Sequence, residues 1–309
     1  MKLNKPKFWN KKNSFISFIF FPLSLFLQLI LILLKKIKKK KKFKVPVICV
    51  GNIYIGGTGK TPLSLKIVEI LKKLKIKTAI IKKSYVEHDD EFQLITSKQV
   101  ALFKKPSRSM AIRDAIDNGF DCVVLDDGFQ DSSIIKDLNI LCFNEKQLIG
   151  NGMTLPSGPL REPFSSVKRS QIVVINGKKN DQFEKKINNI SKKISIHYSK
   201  YLPINTEKFR DKDLFAFAGI GNPENFFDLL EENNLRIVKK ISFPDHYNYS
   251  FNELDDLINI SIKNNLKLIT TEKDFFRIKH FKLPQIECLN VKIEILDKDN
   301  FENEIVKYL

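Results

Sequence analysis

Residues suited to phosphate chemistry occur first in a glycine-rich loop between an apolar run and a helical pattern. The loop consists of Gly56, Gly57, Thr58, Gly59, Lys60 and Thr61. Glycines let successive backbone N–H groups point at phosphate oxygens, and the start of a helix adds positive potential. Lys60 would reach the β- and γ-phosphates, and the Thr61 hydroxyl would bind Mg²⁺. The loop therefore predicts a nucleoside triphosphate site, although Tyr54 replaces a glycine of the strict pattern.

A pair of aspartates supplies the acids that such a loop needs. In the stretch VVLDDGFQD, an apolar strand pattern ends in Asp126 and Asp127, followed by Gly128. The carboxyl end of a central strand lies beside the phosphate loop in an open α/β sheet. Both carboxylates therefore fit a role in holding Mg²⁺, directly or through its waters. A solvated Asp-Asp-Gly turn is the alternative interpretation.

Strand and helix patterns alternate around these motifs from residue 45 onward. Apolar strand patterns recur at residues 45–50, 77–81, 121–125, 138–143 and 171–176, with helix patterns after the loop and at 107–119. This alternation predicts an α/β fold with a P-loop NTPase-like, mostly parallel sheet flanked by helices.

A second, smaller α/β domain is predicted in the rest of the chain. A polar stretch at 177–193 is followed by residues 195–212, which lack strong periodicity and are the expected linker. We therefore assign residues 45–200 to the P-loop domain and residues 201–309 to the second domain.

Residues 1–44 differ from the rest in composition. Residues 14–34 carry no charge, and as a helix they would be about 31 Å long, close to the thickness of a bilayer core. The pattern predicts a membrane-associated helix with a polylysine flank that lies on anionic headgroups. Lysine rather than a small-residue site follows the apolar run, which disfavours a signal peptide. Lysines on both sides leave spanning and monotopic insertion open, and Pro22 favours the latter.

The net charge does not indicate nucleic-acid binding. Of the +18 total, 13 lysines without any acid lie in residues 1–44, which leaves +5 for the remainder. The lysine run adjoins an apolar helix and lacks interleaved aromatics, so no nucleic-acid partner is expected. The four cysteines show no C-x-x-C spacing and are expected to be buried, reduced thiols; they are Cys49, Cys122, Cys142 and Cys288.

The order of several motifs resembles the lipid A 4′-kinase (tetraacyldisaccharide 4′-kinase) family of Gram-negative bacteria. The motifs are VGNIYIGGTGKTP, the acids of HDDEF, LDDGFQD, GNGMTLPSGPLREP, FAGIGNPENFF, FPDHYNY and TTEKDFFR. DDGFQ together with GPLREP is specific to that family, whereas the phosphate loop alone is not. The resemblance covers nearly the whole chain, including the N-terminal apolar segment.

The resemblance implies a reaction and a location. ATP, with Mg²⁺, would donate its γ-phosphate to the 4′-hydroxyl of a tetraacylated glucosamine disaccharide 1-phosphate, a lipid A precursor. The enzyme would work at the cytoplasmic face of the bacterial inner membrane. A lipid substrate explains the membrane helix, and its negative charge explains the basic residues near the bilayer.

The resemblance also implies catalytic residues in the other motifs. The acids of the family's Gly-Asp-Glu-Pro motif match Asp90, the implied general base, and Glu91, an implied metal-site acid. His246 of FPDH pairs with that aspartate in the family, and an imidazole can orient a carboxylate. Because 156 positions separate Asp90 from His246, we expect them to meet only if the second domain closes over the active site. A hydrogen-bonding loop residue is the alternative for His246.

Arg161 and Glu162 of LREP match active-site positions of the family. The guanidinium of Arg161 can bind phosphate with two hydrogen bonds. A structural salt bridge is the alternative for both residues.

The chain departs from the family pattern mainly on the acceptor side. Lys83 and Ser84 stand where Arg and Gly are expected, the next loop is short, and Asp131 replaces the histidine of DDGFQH. These changes concern acceptor positioning and catalytic rate more than ATP binding.

Two other functions remain open from the residues alone. Another membrane-associated P-loop ATPase would share the loop and the aspartate pair, but it would not need GPLREP or FPDH. A catalytically weakened relative is the second, and the retained site residues argue against it; they are Lys60, Thr61, Asp90, Asp126, Asp127 and His246.

Overall fold

The chain folds around two separate β-sheets, one of eight described strands and one of four. The computed structural model describes residues 6–84 and 89–309, and of residues 89–91 only the backbone. Residues 6–84, Gln99–Lys200 and Ile293–Leu309 form a larger unit, whereas residues 89–98 and Tyr201–Lys292 form a smaller one.

The described helices and strands alternate along most of the chain. In chain order they are α1 (Phe15–Ile37), β1 (Val47–Gly51), α2 (Lys60–Lys73), β2 (Thr78–Lys83), α3 (Asp89–Ser97), β3 (Leu102–Lys105), α4 (Arg108–Asp117), β4 (Cys122–Asp126), β5 (Leu138–Asn144), β6 (Ile172–Asn176), α5 (Asp181–Ile190), β7 (Ser195–Pro203), β8 (Leu214–Ala218), α6 (Glu224–Glu232), β9 (Ile237–Ser242), α7 (Phe251–Lys263), β10 (Lys267–Thr271), α8 (Glu272–Ile278), β11 (Ile286–Leu289), β12 (Val291–Ile295) and α9 (Lys298–Val306).

The larger sheet has the strand order β12-β7-β6-β5-β1-β4-β2-β3. The strands from β7 to β3 pair in parallel, and all residues of β1, β4 and β6 are buried. Burial on both faces explains their continuous apolar sequences. The predicted fold class, a P-loop NTPase-like and mostly parallel α/β sheet, is confirmed by this arrangement.

The connection at the carboxyl end of β1 requires a glycine for close packing. A Cβ atom added to Gly51 would lie 2.4 Å from Phe129 Cβ. Phe129 is itself buried in the core of the larger unit. Gly51 therefore lets the segments that follow β1 and β4 pack directly against each other.

The linker prediction for residues 195–212 is wrong over its first part. Residues Ser195–Pro203 form β7, which pairs in parallel with β6. The inward-facing residues His197 and Ser199 are buried but polar, so the strand shows no apolar alternation. The polar stretch at 177–193 likewise contains α5, whose apolar positions Phe183 and Ile187 face the core.

The chain returns to the larger sheet after the smaller unit. β12 forms the edge beside β7, and α9 follows it. Glu304 of α9 accepts a hydrogen bond from Ser195 at 2.5 Å and contacts His197 Nε2 at 3.1 Å. Phe301 packs edge-on against the same imidazole. Polar contacts with β7 therefore hold α9 to the larger unit.

The smaller unit contains a parallel sheet with the order β11-β10-β8-β9. Helix α3 packs against α8 and belongs to this unit by its contacts, although the sequence placed residues 89–98 in the first domain. The ion pair of Lys98 with Glu272, at 2.6 Å, joins the end of α3 to α8. The segment that carries Asp90 is thus in the same unit as His246.

All four cysteines are free thiols. Cys49, Cys122 and Cys142 are buried and Cys288 is half-buried. Burial raises the pKa of the thiols of Cys49 and Cys288 to about 11 and that of Cys122 to about 12, so they stay protonated.

Candidate active site

The glycine-rich loop lies between β1 and α2 in the larger unit. Gly56 and Gly59 have φ angles of 112° and 91°, a region that glycine enters without strain. Gly59 directly precedes α2. The first N–H groups of the helix, beginning with Lys60 and Thr61, have no carbonyl partner within the helix and suit a phosphate ligand.

The side chain of Asn52 stabilises this loop by hydrogen bonds. Its buried side chain donates hydrogen bonds to the Gly56 carbonyl at 3.2 Å and to Thr58 Oγ1 at 3.0 Å. Gln130 in turn donates to the Asn52 carbonyl at 2.8 Å. Neither residue was predicted from the sequence, although both lie inside the motifs. Their contacts fix the shape of the loop.

The loop of residues 150–163, GNGMTLPSGPLREP, is joined to the same region by backbone hydrogen bonds. Ile55 N–H donates to the Pro159 carbonyl at 2.9 Å, and Arg161 N–H donates to the Ile53 carbonyl at 2.7 Å. These bonds place Arg161 beside the phosphate loop.

Asp126 is buried at the end of β4, directly across from Val50 of β1. Its Oδ2 accepts a hydrogen bond from Thr61 Oγ1 at 2.8 Å and forms an ion pair with Lys82 Nζ at 2.8 Å. Ser64 contacts Oδ1 at 3.4 Å. The structure therefore joins Thr61 and Asp126 as predicted and adds Lys82, which no motif indicated.

Asp127 lies between two positive side chains. Arg161 Nη1 donates to both of its carboxylate oxygens at 3.0 and 3.1 Å, and Lys60 Nζ lies 3.8 Å from Oδ1. Burial raises the pKa of the Asp127 carboxyl, but the charges of Lys60 and Arg161 outweigh this effect and hold the pKa at about 2. Asp127 is therefore a carboxylate at neutral pH.

Arg108 fixes the backbone of Asp127, which has a positive φ of 59°. Arg108 Nη2 donates to the Asp127 carbonyl at 2.7 Å, and Nη1 lies 3.3 Å from Asp131 Oδ2. Burial raises the pKa of the Asp131 carboxyl, but two hydrogen bonds donated by Ser133 help to hold this pKa below its ordinary value. Asp131, which replaces the family's histidine, thus helps to hold the arginine that fixes the Asp127 backbone. Arg108 was not predicted from the sequence, in which its only signal is its place at the start of a helix.

Glu162 forms a buried salt-bridge cluster rather than facing the phosphate loop. Its Oε2 pairs with Lys35 at 2.9 Å and with Arg169. The Arg169 guanidinium lies over the Phe129 ring at 4.2 Å. Both LREP residues thus form salt bridges, Glu162 with Lys35 and Arg169, and Arg161 with Asp127. The phosphate-binding role of Arg161 stays a prediction.

Helix α1 contacts the 150–163 loop through one polar stripe. Ser17, Ser24, Gln28 and Lys35 fall within about 40° of each other around the helix axis. Ser24 Oγ donates to Ser157 Oγ at 2.8 Å, and Gln28 Nε2 donates to the Arg161 carbonyl at 3.4 Å.

The remaining surface of α1 is apolar. Every large apolar side chain of the helix is between 37% and 79% exposed, whereas Ser17 and Ser24 are buried. By length and composition the helix is sufficient to cross a membrane. This inverted burial, with polar groups inside and apolar groups outside, suits a helix whose outer face meets lipid.

His246 lies in the smaller unit with a positive φ of 56°. Its backbone N–H donates to the Gly219 carbonyl at 3.1 Å, and Lys273 Nζ contacts its Nε2 at 3.2 Å. The side chains of Asp90 and Glu91 are outside the described part of the chain. Their backbone is in the first turn of α3, and their predicted roles stay predictions.

Asp274 binds Gly219, the residue whose carbonyl accepts the hydrogen bond from His246. It is fully buried and accepts hydrogen bonds from Gly219 N–H at 2.9 Å, from Tyr249 at 3.2 Å and from Arg277. Burial raises the pKa of this carboxyl, and the neighbouring positive charge opposes the effect. The conformation around Gly219 and His246 thus depends on a buried polar network.

The oxygen donors of the larger unit fit magnesium. The Thr61 hydroxyl and the carboxylates of Asp126 and Asp127 are hard ligands, which Mg²⁺ prefers. Among the described residues no cluster of three or more His, Cys, Asp or Glu side chains suits a metal. A metal here would therefore depend on phosphate oxygens and water for its other ligands, as Mg²⁺ does at nucleotide sites.

A phosphate cradle beside an acid pair, at the carboxyl end of a parallel sheet, is the defining arrangement of P-loop nucleotide-binding proteins, and the larger unit is of this class. The family model described as tetraacyldisaccharide-1-P 4′-kinase, LpxK, matches residues 16–101 and 89–309. The chain belongs to the tetraacyldisaccharide 4′-kinase family. The resemblance drawn from the motifs is confirmed, as is the prediction of an ATP-dependent kinase.

Relatives of nearly equal length support this assignment. The chain is 44% identical over 314 residues to the tetraacyldisaccharide 4′-kinase of Pelagibacter ubique, covering 99% of this chain and 98% of the relative. It is 30% identical to the Rickettsia typhi enzyme of that name, covering 99% of both. A crystal structure of LpxK from Aquifex aeolicus in complex with ATP has a TM-score of 0.71 at 21% identity, covering 95% of this chain and 99% of that one.

The charges around Asp127 give a prediction that is independent of activity. In Arg161→Met the pKa of Asp127 should rise from about 2 toward the ordinary value of 3.8, because one neighbouring cation is lost. Carboxyl ¹³C NMR titration measures this pKa. Because the folded pKa lies below the ordinary one, the Asp127 carboxylate stabilises the fold above about pH 4 and loses this effect as the pH falls toward 2.

Arg113→Met is the matched control, since Arg113 is exposed on α4. It should leave the Asp127 titration unchanged. An equal shift in both variants would contradict the local cause.

Proposed function

We propose that this chain transfers the γ-phosphoryl group of ATP to the 4′-hydroxyl of a tetraacylated glucosamine disaccharide 1-phosphate at a membrane surface. The observation that carries the proposal is the constellation around Asp127. Lys60, Arg161 and Asp127 lie together beside the phosphate loop, with Asp126 and Thr61 paired next to them. Phosphoryl transfer requires cations and metal-binding acids in this combination.

On the ATP side of the reaction, the protein would mainly have to position the phosphates and neutralise their charge. The loop from Gly56 to Thr61 would hold the phosphates through backbone N–H groups, as P-loops do. Lys60 and Arg161 would then share their positive charge between Asp127 and the transferring phosphoryl group. Arg108, bound to the Asp127 carbonyl, would keep that carboxylate in place during the reaction.

Thr61, Asp126 and Asp127 are the residues that would hold Mg²⁺, with Glu91 proposed as a further metal-site acid. The ion supplies charge neutralisation for the β- and γ-phosphate oxygens. No other residue of the larger unit needs to act as an acid or base, because the donor is activated by electrostatics alone.

The acceptor side would need a base, and we assign this role to Asp90 with His246 as its partner. A sugar hydroxyl is a poor nucleophile at neutral pH, so a positioned base contributes about 10²- to 10⁴-fold. The grouping of residues 89–98 with Tyr201–Lys292 in one compact unit supports a common role for the two. Because both segments belong to one unit, the pair would not need domain closure to meet, contrary to the expectation from the sequence. Closure of this unit over the nucleotide would still exclude water.

Helix α1 would bring the lipid acceptor to the site. Its polar stripe contacts the 150–163 loop from Ser17 to Lys35, a length of about 27 Å. Because this contact covers the helix along most of its length, we propose that α1 lies in the surface of the cytoplasmic leaflet rather than across the bilayer. The neighbouring lysine run would meet anionic headgroups.

A different membrane-associated P-loop ATPase is not favoured. Such a protein would not need the 150–163 loop, whose Arg161 forms two hydrogen bonds with Asp127. An assay with labelled ATP and the tetraacyl disaccharide 1-phosphate tests the proposal directly. Hydrolysis of ATP without transfer to the lipid would support the alternative.

The first variants concern the nucleotide site. Lys60→Ala and Asp127→Ala should each reduce phosphoryl transfer by at least about 10²-fold, because each removes a charge that acts on the transition state. Transfer of labelled phosphate to the lipid acceptor is the measurement. The exposed pair Lys105 and Asp114, on β3 and α4, provides the controls Lys105→Ala and Asp114→Ala. Near-wild-type transfer in either site variant would refute the assignment.

A second prediction concerns the lipid-facing side of α1. Phe26 and Leu33 lie opposite the polar stripe and are 60% and 59% exposed. The double variant Phe26→Asp with Leu33→Asp should bind anionic vesicles at least about tenfold more weakly, because charged side chains resist burial in lipid. Co-sedimentation with vesicles measures this binding.

The matched control places aspartates at exposed apolar positions away from α1. Ile262→Asp with Leu296→Asp changes two side chains that are 66% and 57% exposed. This variant should co-sediment like the wild type. If the α1 variant does so as well, the membrane role of the helix is wrong.

The third prediction concerns the acceptor base. Asp90→Ala should lower kcat by about 10²- to 10⁴-fold and leave ATP affinity nearly intact, since a base acts on the acceptor hydroxyl. His246→Ala should have a smaller effect, and the double variant should be little worse than Asp90→Ala. Steady-state kinetics with the lipid acceptor give both constants.

Two results would contradict this pairing. Independent, multiplying losses would mean that Asp90 and His246 do not cooperate. A wild-type rate in Asp90→Ala would move the base elsewhere, and Asp89→Ala is then the variant to compare.

A further inference from the structure

Lys82 is the positive side chain in direct contact with Asp126. It lies on β2, which pairs with β4 in a register that matches Ile81 to Leu125, so Lys82 is carried next to Asp126 by the sheet itself. Lys82 Nζ is 2.8 Å from Asp126 Oδ2, and the side chains are 14% and 1% exposed. The ion pair is therefore largely buried.

The ion pair uses the same oxygen as the threonine of the phosphate loop. Thr61 Oγ1 also donates to Asp126 Oδ2, at 2.8 Å. Thr61 and Asp126 are the groups proposed to hold the metal ion, so this shared oxygen is a candidate ligand of the cation. The ammonium group of Lys82 is in contact with that same oxygen.

The positive charge of Lys82 determines its role beside Asp126. A buried carboxylate without a partner is costly, so Lys82 compensates Asp126 in the free chain. A divalent cation and an ammonium group repel each other at one carboxylate oxygen. The cation must therefore displace Lys82 or share Asp126 at a lower affinity. Phosphate oxygens of a nucleotide would offer the displaced ammonium a new acceptor.

We infer that Lys82 is an internal counter-ion that competes with the divalent cation for Asp126 and makes cation binding depend on nucleotide. This inference rests on the proposed nucleotide site, which it deepens. Lys82 is a positioning residue, because it acts on the metal site through Asp126. The coupling is reciprocal, so the nucleotide and the cation each promote binding of the other.

Mn²⁺ is the probe for this competition, because its free aqueous form gives an EPR signal that disappears on binding. The full chain in detergent is titrated with Mn²⁺, with and without a non-hydrolysable ATP analogue. Without nucleotide, Lys82→Met should bind Mn²⁺ about tenfold more tightly than the wild type, within the usual range of coupling between ligands. The increase in Mn²⁺ affinity caused by the analogue should shrink in the same variant.

Three further variants exclude a merely structural effect. Lys82→Gln removes the charge but keeps a donor for Asp126, so it should also bind Mn²⁺ more tightly and serves if Lys82→Met does not fold. Lys82→Arg keeps the charge and should retain the wild-type affinity. Lys105 lies on β3, the strand next to β2, and forms an exposed ion pair with Asp114 of α4. Lys105→Met removes this pair and should leave the Mn²⁺ affinity unchanged.

The outcomes separate this inference from the proposed function. Unchanged or weaker Mn²⁺ binding in both Lys82→Met and Lys82→Gln would overturn the role of Lys82 as a competitor. Tighter binding that persists when Asp126→Asn is added would overturn it too, because the competition must act through Asp126. Failure of the wild type to bind the ATP analogue would refute the nucleotide site instead, while the Mn²⁺ titrations without nucleotide still test Lys82.

Discussion

The carboxylate of Asp127 is the interaction on which the rest of the site depends. Lys60 comes from the phosphate loop and Arg161 from the 150–163 loop, and both contact this one carboxylate. Burial raises the pKa of this carboxyl, and the charges of Lys60 and Arg161 outweigh that effect and lower the pKa to about 2. Arg108 bonds the carbonyl of the same aspartate and so fixes the backbone that carries the charge.

Helix α1 is linked to this charge cluster through short chains of contacts. Gln28 donates to the Arg161 carbonyl, and Lys35 pairs with Glu162, the next residue. The apolar helix therefore contacts the segment that carries Arg161. This arrangement gives a physical reason for the serine and glutamine side chains in an otherwise apolar helix: they bind the protein, while the phenylalanines and leucines face outward.

The sequence was sufficient to predict those parts of the site that lie within one short segment of the chain. The phosphate loop and the acids at the end of β4 are set by neighbouring residues, and their positions agree with the prediction. Side chains whose partners are distant in the chain could not be found in this way, as Arg108 and Lys82 show. β7 was missed because its buried positions include His197 and Ser199, whose polarity hides the strand pattern. The grouping of residues 89–98 with Tyr201–Lys292 follows from the packing of α3 on α8, which no pattern reveals.

The position of β12 in the larger sheet has a consequence for biosynthesis. This strand borders β7, yet the whole stretch from β8 to β11 is translated between the two. The ribosome therefore releases β7 with an open edge and with His197 lacking its Glu304 partner until the intervening residues have emerged. Exposed strand edges of this kind are where nascent chains associate wrongly. The length of that interval is set by the translation of the residues between Pro203 and Val291, so the temporarily open edge of β7 follows from the chain order itself.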